Sequence, residues 1–156
     1  MTIEDDIALL ERVPTLELLG GDALRILAIG AESRYIQPGD VLFREGDIAD
    51  AGYVVQEGTF TLACGDVRAD VEPALVGPGV LLGELALLTE TVRAVTATAR
   101  EPSSVIRIPR KLFLKILEGY PDAARRLRGV IGARANRAMH DIASLRPAFD
   151  IIDRQD

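Results

Sequence analysis

Hydrophobic positions along this chain change their period twice. Near the N-terminus they are spaced as on a helix. Ile7 and Leu10 precede Val13-Pro14, which predicts a short helix stopping there. Leu24, Leu27 and Ala28, at i, i+3, i+4 after Gly21-Asp22, predict a second. From about Tyr35 to Pro109 the period falls to two. Phe60, Leu62 and Cys64 alternate with Thr59, Thr61 and Ala63, and Val95, Ala97 and Ala99 with Thr96 and Thr98. Ile106 and Ile108 alternate with Val105 and Arg107. These are half-buried strands, and Cys64 reads as a small core residue. Past Pro109 the helical period returns. Leu112, Phe113, Ile116 and Leu117 form an apolar stripe ending at Gly119, and Pro121 suits the first turn of another helix. Leu127, Ile131, Ala135, Ala138, Ile142 and Leu145 continue that helix, and Pro147 ends it.

Glycines punctuate the middle of the chain. Gly39, Gly46, Gly52, Gly58 and Gly65 stand 7, 6, 6 and 7 residues apart, followed by Gly77, Gly79 and Gly83. Turns at that spacing leave room only for short strands. The expected fold is therefore mainly β with flanking helices, an α+β arrangement built around a β-roll or jelly roll. Its parts are N-terminal helices in 1–33, the roll in 34–109, two C-terminal helices in 110–146 and a tail in 147–156.

Composition narrows the chemistry. The chain has 156 residues, 48% of them hydrophobic, enough for one domain with a real core. Its seven aromatic residues leave that core largely aliphatic. One cysteine and one histidine, His140, exclude a disulfide within the chain and a metal site of several imidazoles or thiolates. No nucleophile–base pair stands out, which argues against an enzyme. The N-terminus is acidic, with no secretory apolar stretch after it. The uncharged run from Pro73 to Gly83 is too short, and too rich in Gly and Pro, to span a bilayer. Together these predict a cytoplasmic protein without a membrane segment.

Charge is unevenly spread. The net charge is −6, yet residues 1–99 are strongly acidic and 100–140 strongly basic. Arg125, Arg126, Arg128, Arg134 and Arg137 read as a solvated helix face rather than a DNA surface. Only eleven residues follow Leu145, too few for a helix-turn-helix, so a stand-alone domain without DNA binding is expected. Spacings of 4, 3, 4 and 3 from Ile131 to Leu145 fit two arrangements, packing on the roll or pairing with the same helix of a second chain as a homodimer.

Within the acidic half, the stretch from Gly83 to Ala97 concentrates candidate chemistry. Arg93, one of six basic residues before position 100, sits among small and apolar neighbours and needs a counter-charge. Glu84 to Leu88 can form one helical turn whose free N–H groups suit an anion. Arg93 supplies a fork for a phosphate, and Glu84 an acceptor for ribose hydroxyls. An internal Glu84–Arg93 ion pair that stiffens the loop is the competing reading.

The order Gly83-Glu84-Leu85-Ala86-Leu87, then Arg93-Ala94-Val95-Thr96, resembles the phosphate-binding cassette of the cyclic-nucleotide-binding domain family. That family includes regulatory subunits of cAMP-dependent protein kinase and the sensor half of the catabolite activator protein. Tyr35-Ile36-Gln37-Pro38-Gly39-Asp40-Val41-Leu42-Phe43-Arg44-Glu45-Gly46-Asp47 resembles its entry strands, and Tyr53 to Gly58 its next strand and turn. The resemblance covers about residues 10 to 130, with the cassette at 83–94. It implies a receptor that transmits ligand binding to its C-terminal helices and a protein effector. Glu84 would accept the ribose 2′-hydroxyl and Arg93 would pair with the cyclic phosphate. The amides of Leu85, Ala86 and Ala94 would complete the cradle, with Gly83 on the ribose side. Ala94 stands where cGMP-selective members carry Thr, which favours cAMP over cGMP. Phe149, Ile151 and Ile152 are candidates for the family's apolar lid over the base, with a tail or dimer contact as alternatives. Two departures are Val92 where members often carry Pro, and Leu82 where they often carry Phe. The alternative function is a protein-interaction module of the same fold that binds no nucleotide; loss of Glu84 or Arg93 would mark it, and both are present.

Overall fold

The structure is a computed structural model that describes residues 2–65 and 73–130. Three helices lead: α1 (Ile3–Glu11), α2 (Pro14–Glu17) and α3 (Gly21–Gly30). Thr2 and Asp5 cap α1 reciprocally: the Asp5 N–H donates to the Thr2 hydroxyl and the Thr2 N–H to the Asp5 carboxylate. Val13-Pro14 ends α1 as expected, but Pro14 also opens the single turn α2. Proline fits a first helical position because its missing N–H has no partner to lose there.

Ten strands are described: β1 (Glu32–Ile36), β2 (Val41–Phe43), β3 (Ile48–Ala49), β4 (Ala51–Glu57), β5 (Phe60–Ala63), β6 (Ala74–Val76), β7 (Leu81–Leu82), β8 (Thr91–Val92), β9 (Thr96–Ala99) and β10 (Ser103–Pro109). One antiparallel sheet runs β1-β10-β4-β7, a second β2-β9-β5-β6, and β3 pairs with β8 as a separate two-stranded ribbon. Helix α4 (Arg110–Gly119) follows, and helical backbone resumes across 121–130. This is the β-roll with flanking helices that the sequence predicts.

β4 and β10 are the spine. β4 has six of its seven residues buried and β10 four of seven with the rest half-buried, because each face of their sheet is covered. Val54, Ile106 and Ile108 face the helices, joining Leu10, Leu24, Leu27 and Phe113. Tyr53, Val55 and Val105 face the second sheet, joining Phe43, Phe60 and Ala97. The half-buried pattern expected of β10 is therefore too simple: Val105 and Ile106, adjacent in sequence, are both buried, one in each core.

Two expectations need correction. Gly39, Gly46, Gly58 and Gly65 turn with positive φ as expected, but Gly52 does not. It lies inside β4, and a Cβ there would stand 3.0 Å from the Leu87 side chain, so glycine serves close packing rather than a turn. Cys64 is exposed rather than in the core, because β5 ends at Ala63 and the chain is already turning toward Gly65. His140, Arg134, Arg137, the segment Ile131 to Leu145 and the candidates Phe149, Ile151 and Ile152 lie outside the described residues. Arg125, Arg126 and Arg128 are exposed.

Candidate functional site

Gly83, just after β7, adopts φ 82°. That left-handed conformation suits glycine, and a second constraint acts at the same position: a Cβ on Gly83 would collide with Nη1 of Arg93. Two residues ten apart in sequence are thus fitted to each other.

After Gly83 the chain makes a 3-10 turn, Leu85–Leu87, with half-buried Glu84 at its start. The turn is tied to itself. Ala86 N–H donates to the Gly83 carbonyl (3.0 Å), Leu87 N–H to Glu84 (3.1 Å), and Leu88 and Thr89 N–H both to Leu85 (3.1 Å each). Ala86 and Leu87 are buried, while Leu85 is exposed. Ala86, one of the three amides expected to cradle a phosphate, therefore has an internal acceptor here. Leu82 is buried in the roll core, and Val92, exposed, pairs with Ile48 across β8 and β3. Neither departure from the family pattern removes a polar group from the site.

Arg93 follows β8 and is pinned through its backbone. Its N–H donates to Asp47 O (2.8 Å), and its carbonyl accepts from Gly46 N–H (2.9 Å). The Asp47 carboxylate accepts from Arg44 N–H (3.1 Å), closing the Arg44–Asp47 turn that receives Arg93. Ala94, next along, is exposed.

The Arg93 side chain is only 6% exposed. Nη2 donates to Ala51 O at 2.7 Å. Nη1 is buried with no hydrogen-bond partner among the described residues. Its guanidinium carbon lies 4.4 Å from the centre of the Phe43 ring and 5.4 Å from that of Tyr53. Burial is the main cause holding its pKa below the ordinary arginine value. Tyr53, Asp50 and Asp47 oppose that shift, and Arg107 adds to it. The guanidinium stays charged. A buried charged donor left without an acceptor costs more than the roughly 1–3 kcal/mol of a neutral one. This nitrogen therefore fits an incoming anion with two or more acceptor oxygens, as a phosphate has.

One side chain joins this loop to the helices. Arg110, the first residue of α4, donates from Nη1 to both Ala49 O and Thr89 O (3.0 Å each), and its N–H donates to Asp50 O (2.9 Å). Arg110, Phe43, Tyr53 and the Ala51 carbonyl are site components that the sequence reading missed. Leu88, at the end of the turn, lines a groove of about 700 Å³ shared with Leu114, Leu117 and Arg128. Among the described residues no cluster of three or more His, Cys, Asp or Glu could hold a metal, and no helix is long and apolar enough to cross a membrane.

A family model described as "cyclic nucleotide-binding domain" matches residues 33–120. The solved structure of a cyclic nucleotide-binding-like protein from Brucella abortus is 43% identical, with a TM-score of 0.65, covering 73% of this chain and 98% of that one. The cyclic AMP receptor protein of Thermus thermophilus is 31% identical over 114 residues, 72% of this chain and 53% of that protein. The lysophospholipase nte1 of Neurospora crassa is 32% identical over 107 residues, 68% of this chain but 7% of that protein's length. This chain thus spans only part of these two curated relatives.

Proposed function

Because this chain belongs to the cyclic nucleotide-binding domain family, we propose that it is a cytoplasmic receptor for a cyclic nucleotide, with cAMP preferred to cGMP and no catalysis of its own. The observation that carries the reading is Arg93 Nη1, a buried cationic nitrogen without an acceptor, beside a glycine whose missing Cβ leaves it room. A cyclic phosphate supplies the acceptor. Glu84 takes the ribose 2′-hydroxyl, and the amides of Leu85, Ala86 and Ala94 complete the cradle. Ala86 must then exchange the Gly83 carbonyl for a phosphate oxygen, so binding reshapes the turn. Ala94 leaves no hydroxyl for a guanine, which supports cAMP, as does the name of the Thermus thermophilus relative.

Transmission follows from the same exchange. A reshaped turn displaces Thr89 and Leu88, which touch α4 through Arg110 and the shared groove. Binding thereby selects among positions of the C-terminal helices, and a protein effector or a second copy of the chain reads that position.

The test is calorimetric titration of cAMP and cGMP into wild type, Glu84→Ala and Arg93→Ala. A charge-assisted contact is worth about 1.5–3 kcal/mol. Arg93→Ala should therefore weaken binding at least about tenfold. Neither heat nor a thermal shift with either nucleotide would overturn the reading.

A further inference from the structure

Aromatic residues are scarce in this chain, yet two of the seven meet at one arginine. Phe43 comes from β2 in one sheet and Tyr53 from β4 in the other. Their rings stack with centroids 5.9 Å apart and planes 29° from parallel, and both are nearly inaccessible to water. Arg93 rests on the two-ring platform they form.

We infer that Phe43 and Tyr53 are positioning residues for anion recognition: their ring faces hold the Arg93 guanidinium in place without taking up Nη1, which keeps its hydrogen-bonding capacity for a phosphate. This inference rests on the receptor reading above and adds the device that arms it. An aromatic face attracts a cation from above its plane, most strongly where water is excluded. A carboxylate would instead bind the guanidinium along the N–H edge, where a phosphate must also bind. It would have to be displaced by each ligand. The platform demands no such exchange. Nη2 is fixed by Ala51 O, the plane is held by two rings, and Nη1 remains for the ligand. The fork is therefore aimed before the anion arrives, which lowers the ordering cost of binding.

The experiment places phenylalanine, 4-fluorophenylalanine or pentafluorophenylalanine at position 43 of the full chain and titrates cAMP. Fluorine drains the ring face with little change of shape. The dissociation constant should rise stepwise, about fivefold by the pentafluoro ring, with an unchanged thermal midpoint. The same substitution at Phe60, elsewhere in the same core, should change affinity by less than about twofold. Tyr53→Phe, which keeps a ring, should bind within about twofold of wild type, while Tyr53→Leu should lose about fivefold. In NMR spectra of the ligand-free chain, the Arg93 Nε–H resonance should carry a ring-current shift that Phe43→Leu reduces. Affinity that ignores the position-43 series, or falls equally with the Phe60 series, overturns the platform alone. A wild type that binds no cyclic nucleotide overturns the receptor reading and the platform with it.

Discussion

The two faces of the β4–β10 sheet make an instructive pair. On the helix side, Leu10, Leu24, Leu27, Val54, Ile108 and Phe113 are each at most 1% exposed. On the roll side the core is smaller, Phe43 and Tyr53 retain slight exposure, and a charged guanidinium lies against its aromatic wall. Apolar burial stabilises without conditions, whereas a buried cation lacking an acceptor opposes folding. The helix side thus carries stability that the roll side partly gives up to keep an anion site armed.

That division can be broken by experiment. Phe113→Ala, in the helix-side core, should cost about 3–5 kcal/mol by urea unfolding, while the folded fraction keeps its cAMP affinity within about threefold. Equal losses of stability and affinity would show the faces to be one unit. Gly83→Ala, on the roll side, should cost about 1–2 kcal/mol of stability from its positive φ, and reduce cAMP affinity at least about tenfold because the new methyl displaces Arg93. Unchanged affinity would mean that Arg93 need not lie where it does. Cys64→Ser, just past the edge of the roll core, should stay within about 0.5 kcal/mol in the same unfolding assay. A larger loss would extend the roll core beyond Ala63.

Much of this was legible along the chain. Arg93 announces itself as an isolated cation among small residues, and the period-two strands and helical flanks place the roll. What escaped the sequence has a common cause. Phe43, Tyr53 and the Ala51 carbonyl reach Arg93 from 40 to 50 positions away along the chain, through sheet pairing that no local pattern encodes. Gly52 looks like a turn by spacing alone, and only the Leu87 side chain packed against it shows why a Cβ is unwelcome. Cys64 keeps the alternation of β5 but lies past its end, because periodicity marks faces better than ends.

Arg110 has a consequence for how the molecule opens. A single nitrogen bridges carbonyls of β3 and of the turn after Gly83, from the first residue of α4. Both acceptors are main-chain oxygens, so side-chain changes at Ala49 or Thr89 leave the bridge its anchors. Moving either carbonyl away takes one acceptor from Arg110 Nη1, and moving the helix start takes the donor from both carbonyls. The amides of these three segments should therefore exchange with solvent deuterium as one cooperative unit, with the turn and the helix start sharing an opening free energy.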